Sequence, residues 1–253
     1  LIAMHIGFDY LKSRAYHNAR PYYESAANIQ QSGLIVHKNP GANIYKPLAA
    51  IYTMIGDIQK AQQLLDLAEE ACLAADDTLN LAKTYYDMGL ANLTIRDPQN
   101  AATSLDKALS LAAATDPPTD PYLHSQILSA LAETYLMLKD AGNAERYALR
   151  ALDSDDLNAD AALILSQIAA EAGNLKDALH WNAEACEMLS EDDTGPASLI
   201  NRELAKAKVD RAKLLADTDI RSGLALCAEA LHIVLPDYPP SSPMANPAPG
   251  NIY

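Results

Sequence analysis

Residues 49–68, AAIYTMIGDIQKAQQLLDLA, decide the fold. Small residues stand at Ala49, Ala61 and Ala68, and between them the chain carries a Gly56-Asp57 pair. Residues three and four apart share one face of a helix, so small residues at such spacings let two helices approach closely. Glycine ends a helix and aspartate begins the next one. The stretch therefore predicts two closely packed antiparallel helices joined by a short turn.

The same pattern returns along the whole chain. A small residue is followed by a larger or variable one four positions on and by alanine three positions later, at 19-23-26, 61-65-68, 101-105-108, 144-148-151 and 178-182-185, with an incomplete copy at 223-227-230. Twelve residues before each of the first five triplets stands a further small residue: Gly7, Ala49, Gly89, Ala132 and Ser166. The sixth copy has Arg211 there. Repeats of this length indicate a stack of helical hairpins.

This pattern resembles the tetratricopeptide repeat over about residues 3–232, and the closest copy is carried by Ala49, Tyr52, Gly56, Asp57, Ala61, Leu65 and Ala68. Successive triplets are 42, 40, 43, 34 and 45 residues apart, whereas the family repeat is about 34 residues. The lengths are similar to the long-helix repeats of kinesin light chains and of bacterial signal-transduction regulators. The resemblance implies an all-α, right-handed superhelical solenoid of about six antiparallel helical hairpins.

The connectors predict the domain organisation. One solenoid is expected over residues 1–235, with hairpins at about 1–36, 42–75, 78–114, 120–153, 157–190 and 197–234. Residues 236–253 form a proline-rich connector or tail, because six prolines interrupt any helical period. Its end, Pro249 to Tyr253, echoes Pro40 to Tyr45, which leaves open both coincidence and the start of a further hairpin.

Composition supports the helical interpretation and excludes several classes of function. The chain has 46 Ala and 36 Leu but 3 Val, 1 Phe and 1 Trp, which disfavours a β-sheet fold. Its net charge of −14 argues against binding to nucleic acid or to an anionic membrane. No apolar run has the length of a membrane span. Cys72, Cys186 and Cys227 show no metal-ligand spacing, and we expect free thiols in a reducing, cytoplasmic compartment.

The sequence contains no catalytic motif that we could identify. There is no Gly-x-Ser-x-Gly, no His-Glu-x-x-His and no glycine-rich loop after a strand. We therefore predict a protein that is not an enzyme and has no cofactor and no metal site. The resemblance also implies no grip on a terminal carboxylate of the kind that some co-chaperones of the family have, because Ala50 and Asp87 stand where asparagine is needed.

The resemblance places function on the concave surface that the first helix of each hairpin lines. We predict a protein–protein interaction module that binds a partner peptide or helix in this groove, with adaptable apolar and aromatic contacts. The predicted groove residues are Lys46, Met54, Lys83, Tyr86, Leu90, Leu93, Glu133 and Met137. Two alternatives stay open: a regulatory, signal-sensing segment of a larger bacterial transcription regulator or signalling protein, and self-association through the solenoid ends.

Overall fold

The computed structural model describes residues 2–34, 36–113, 120–191 and 197–235. These residues contain twelve α-helices and no strand, which confirms the predicted all-α fold. The helices are α1 Ile2–Lys12, α2 Tyr16–Gln31, α3 Lys46–Met54, α4 Ile58–Ala74, α5 Thr78–Thr94, α6 Pro98–Ala112, α7 Pro121–Met137, α8 Ala141–Ser154, α9 Ala159–Glu171, α10 Leu175–Glu191, α11 Ala197–Leu214 and α12 Ile220–Val234. A π-helical turn, Gly41–Tyr45, leads directly into α3. The proline-rich segment 236–253 and its echo of Pro40–Tyr45 lie outside the described residues.

The helices fall into two compact units, Leu1–Asp140 with α1 to α7 and Ala141–Tyr253 with α8 to α12. In the first unit α1–α2, α3–α4 and α5–α6 form hairpins, and each second helix also packs against the first helix that follows it. In the second unit α9–α10 and α11–α12 form hairpins in the same way. Below, "first helix" and "second helix" refer to the order of the two helices in each hairpin predicted from the sequence, so that α7 counts as a first helix and α8 as a second helix.

The small residues lie where two helices approach most closely, as predicted. A methyl group on Gly89 would stand 2.5 Å from Cγ of Leu105 on the facing helix. Ala49 is buried at the equivalent place. At Ser166 the hydroxyl uses the short distance to donate to the carbonyl of Ala178, at 2.8 Å. Small side chains therefore set the spacing within the hairpins of both units.

The turns follow the predicted chemistry with one difference. Asp57 and Asp97 cap the second helices, with side chains that accept from the backbone N–H groups three residues on, both at 3.2 Å. The residue before each cap takes the left-handed conformation, and Gly56, with φ of +87°, suits it. Arg96 and Lys139 hold the same conformation at φ of +58° and +63°. The turns therefore have the same backbone geometry whether the residue before the cap is glycine, arginine or lysine.

Candidate functional site

The predicted groove residues all lie on α3, α5 and α7, the three successive first helices of the first unit that carry them. None of the eight is fully buried: Met54 and Glu133 are exposed and the other six are half-buried. We call the surface formed by these eight side chains the first-helix face. Its side chains are accessible on the free chain, as a binding surface requires.

A row of polar contacts joins the three helices at the first-helix face. Nζ of Lys46 on α3 lies 3.4 Å from the carboxylate of Asp87 on α5. The Tyr86 hydroxyl on α5 donates to Oε1 of Gln126 on α7, at 3.2 Å. These contacts bring the side chains of separate hairpins into one continuous surface.

The aspartate that caps α7 takes part in the same row. Asp120 accepts the backbone N–H of Leu123 with Oδ1 at 3.0 Å, and its Oδ2 lies 3.2 Å from Nζ of Lys83 on α5. The Leu123 N–H and the Lys83 ammonium lower the pKa of the Asp120 carboxyl. The sequence pattern did not indicate the contact with Lys83, because a capping aspartate is recognised locally and its partner lies in another hairpin.

Apolar side chains occupy the other end of the first-helix face. Along α5 the spacing of Lys83, Tyr86, Leu90 and Leu93 keeps all four on one stripe. Leu93 lies in the last turn of its helix, and Met54 and Met137 are the last residues of α3 and α7. The face therefore has a polar row towards the helix N-termini and an apolar edge at the C-termini.

Two neighbouring tyrosines point in different directions, one to other helices of the fold and one to the surface. Tyr85 points to the second helix α4, where its hydroxyl donates to Glu69 at 2.6 Å, and Lys107 lies 4.8 Å from its ring centre. Burial and the Glu69 carboxylate raise the pKa of Tyr85 to about 12. Tyr86, the next residue, points instead to the first-helix face. The repeat pattern alone distinguished the two, because it assigns each position to one side of the helix.

The carboxylates already engage both lysines of the first-helix face. Burial raises the pKa of the Asp87 carboxyl, and the Lys46 ammonium opposes that shift. With Lys46 facing Asp87 and Lys83 facing Asp120, neither ammonium is set aside for a carboxylate of a ligand. Among the described residues, no group of three or more His, Cys, Asp or Glu side chains is placed to hold a metal ion. No helix in that part of the chain combines the length and apolar character needed to cross a bilayer.

No family model matches the chain, and no curated protein matches it in sequence. Solved structures do match its fold. BtubC (BKLC) from P. vanneervenii matches with a TM-score of 0.68 at 17% identity, covering 95% of this chain and 96% of that one. PilW, a type IV pilus biogenesis factor, matches with a TM-score of 0.64 at 19% identity, covering 96% and 95%. The apo form of the quorum sensor NprR from B. thuringiensis matches with a TM-score of 0.65 at 11% identity, covering 90% and 74%.

These similarities establish the fold. The chain has a tetratricopeptide-type helical-repeat fold, as the sequence pattern indicated. Its likeness to the long-helix repeats of kinesin light chains stays a prediction.

Proposed function

We propose that this chain is a non-catalytic interaction module that binds a partner peptide or helix on the first-helix face of residues 1–140. The observation that supports this most directly is the face itself. It joins three helices through polar contacts and presents an apolar edge at their ends. Apolar side chains beside hydrogen-bonding groups are typical of surfaces that bind a peptide or another protein.

The charges of the face favour a partner with apolar anchors over an acidic one. Lys46 and Lys83 each face an aspartate of the neighbouring repeat, and Glu133 adds a further carboxylate. An acidic segment would therefore meet at least as much negative as positive charge. Leu90, Leu93 and the two methionines offer a surface that adapts to apolar side chains, since methionine is flexible and polarizable.

A paired-variant capture experiment tests the proposal. The partner recovered from native lysate should be lost with the Y86A/L90A double variant, which removes one aromatic and one apolar contact from the face. The matched control is L73A, which truncates an exposed leucine on the second helix α4. Retention by the control and loss by the double variant support the face. Equal recovery by all three chains would contradict it.

A photo-reactive amino acid gives the test a direct readout. Placed at position 93 it should cross-link the recovered partner, and placed at position 73 it should not. Cross-linking from position 73 alone would move the binding surface to the second helices. This arrangement depends on contact with the partner and is insensitive to small changes in stability.

The alternative function is a regulatory segment whose first-helix face holds a small molecule or a neighbouring domain. The similarity of its fold to that of NprR, which is described as a quorum sensor, supports this alternative. Native mass spectrometry of chain purified from its own host cells would reveal a retained small molecule as a mass increment. An increment that disappears with Y86A/L90A would support this alternative over a protein partner. The cytoplasmic location stays a prediction.

A further inference from the structure

The turns that lead from first to second helices in residues 1–140 have cations at their most restricted position. The residue before the cap position of each second helix takes a left-handed backbone conformation, and these residues are Arg14, Gly56, Arg96 and Lys139. Glycine adopts this conformation without a steric cost, and asparagine and aspartate tolerate it best among the other residues. Three of the four turns nevertheless have arginine or lysine there, with φ of +56°, +58° and +63°. Strained backbone is concentrated at functional sites, so a cation kept at this position indicates a role for its charge.

These turns lie side by side at one end of the helices. The two helices of each hairpin run in opposite directions, so every first helix ends, and every second helix begins, at this end. A contact between hairpins agrees with this arrangement: Gln62, in the second turn of α4, donates to Asn92, near the C-terminus of α5, at 3.0 Å. Cations of separate repeats are therefore brought to one edge of residues 1–140.

One cation belongs to each of the four turns. Where the turn itself has Gly56, Lys60 supplies the charge from the first turn of α4, and its Nζ lies 4.7 Å from the centre of the Tyr52 ring. We call these four side chains the turn rim: Arg14, Lys60, Arg96 and Lys139. The turn rim shares no residue with the first-helix face.

Three members of the turn rim have no carboxylate partner. In the part of the chain that the structure describes, no ion pair joins Arg14, Arg96 or Lys139 to an acidic side chain. Arg96 and Lys139 are exposed, and Arg14 is half-buried. Asp97, which follows Arg96, instead caps α6, where it accepts the backbone N–H of Asn100 at 3.2 Å. The three cations can therefore bind a carboxylate of another molecule.

The other end of the same helices has the opposite charge. There the non-glycine residue in the left-handed conformation is Asp76, with φ of +53°. Asp77 and Asp120 cap α5 and α7 at that end. Among the connecting residues that the structure describes there, Lys38 is the one lysine or arginine. An acidic ligand is therefore attracted to the turn rim rather than to the opposite end.

We propose that the partner of the first-helix face carries an acidic segment beside its apolar anchors, and that this segment lies along the turn rim. The inference rests on the proposed function, because the apolar edge of the first-helix face adjoins the rim. Met54 and Met137 each stand two positions before the left-handed residue of their turn. Ile95, which is 48% exposed, lies directly before Arg96 and continues the apolar surface into the rim.

The spacing of the rim defines the acidic segment further. Neighbouring first helices contact each other, as the hydrogen bond between Tyr86 and Gln126 shows, so their turns lie on the order of 10 Å apart. An extended chain advances about 3.3 Å per residue. A carboxylate at about every third residue would therefore meet one cation of the rim after another.

A protein segment suits this surface better than a nucleic acid or an anionic membrane does. Asp97 follows Arg96 and Asp140 follows Lys139, so cations and carboxylates alternate along the rim. A nucleic acid has closely spaced phosphates, which would meet the carboxylates as well as the cations. A protein segment can place Asp or Glu opposite each cation and uncharged residues opposite each carboxylate.

The rim is expected to guide the partner more than to hold it. Exposed ion pairs contribute little to affinity. Complementary charges raise the rate of association and fix the direction in which a partner binds. The apolar anchors on the first-helix face therefore remain the main source of affinity.

Selection from a phage-displayed library of random peptides of about 16 residues, long enough to cover both surfaces when extended, tests the inference. The wild-type chain should select peptides with apolar anchors and, on one side of them, Asp or Glu about three residues apart. R96G/K139G should keep the anchors and lose the acidic residues. This variant should melt no lower than the wild type, because glycine adopts the left-handed conformation more easily, so unfolding would not explain the loss.

The matched control is D76G, which makes the same change at the opposite end of the helices. It should select the same peptides as the wild type. The association rate of one selected peptide gives a second readout. At about 50 mM NaCl this rate should fall roughly tenfold with R96G/K139G and stay unchanged with D76G. At about 500 mM NaCl the three chains should give similar rates, because salt screens exposed charges.

The possible failures of the two proposals are distinguishable. Selected peptides with apolar anchors but no acidic residues would overturn the inference and leave the proposed function intact. Acidic residues that persist with R96G/K139G, or association rates at low salt that are equal in all three chains, would overturn it too. A library that yields no peptide with the wild type would contradict the proposed function and the inference with it. Loss of the anchors with Y86A/L90A alone would support the first-helix face on which the inference rests.

Discussion

The hairpins α5–α6 and α11–α12 carry a complete and an incomplete copy of the repeat pattern, and their middle triplet positions have opposite surroundings. At the middle triplet position α6 has Leu105, fully buried against Gly89, and α12 has the exposed Cys227. The first helix α7 packs against α6, and no described helix follows α12. The comparison shows that the same place in the repeat is buried in one hairpin, where the small Gly89 faces it, and exposed in another. The four predictions below test how these repeats are packed and joined.

The largest effect is expected at the middle triplet position itself. L105A should lower the free energy of unfolding by about 2–5 kcal/mol, because it empties a fully buried leucine site that Gly89 cannot fill. C227A, at the equivalent position, should change it by less than about 0.5 kcal/mol. Denaturant unfolding at a concentration where the chain is monomeric measures both. Equal losses would mean that the two hairpins bury this position alike.

A smaller effect is expected where α7 is tied to α5. D120A removes a helix cap and the partner of Lys83, and should cost about 1–2 kcal/mol. The control D97A removes a cap and a hydrogen bond from the Asn100 side chain at 2.7 Å but no ion pair, and should cost less, about 1 kcal/mol. The contrast should shrink in high salt, since only the ion pair is screened.

Lowering the pH tests the role of the same aspartate, because the pKa of the Asp120 carboxyl is lowered in the folded chain. A carboxyl whose pKa is lower in the folded than in the unfolded chain stabilises the fold fully above its unfolded pKa of about 3.9. That stabilisation is lost as the pH falls through the folded-state value. The difference in stability between wild type and D120A should therefore narrow below about pH 4. A difference that is the same at pH 3 and pH 7 would contradict the lowered pKa of the Asp120 carboxyl.

The smallest effect is expected in the turns. Arg96 holds a left-handed conformation in the turn between α5 and α6, so R96G should stabilise the chain by some tenths up to about 1 kcal/mol. The turn between α11 and α12 has no such residue, and T218G there should give no gain. The melting temperatures of the two variants, compared with that of the wild type, measure both effects. A loss of stability with R96G would show that the side chain of Arg96 stabilises the fold by more than its left-handed backbone conformation destabilises it.

The repeat pattern predicted which helices carry the candidate site residues, and the structure has them there. It placed Lys46, Lys83 and Tyr86 on the first helices and separated Tyr86 from Tyr85. It did not indicate that Lys83 meets Asp120 or that Lys46 meets Asp87. Those pairs join residues about forty positions apart, and their distance depends on how one hairpin sits against the next.

The sequence by itself determined the local elements of this protein. Alanine and leucine content, the spacing of small residues and the aspartates before α4, α6, α8 and α12 specified helices, hairpins and turns, because these interactions act within a few residues. Only the tertiary structure decided which carboxylates the two lysines are paired with and that Cys227 on α12 is exposed. The physical reason is that burial and ion pairing depend on side chains brought together from separate repeats, and a periodic pattern gives equivalent positions the same prediction whatever packs against them.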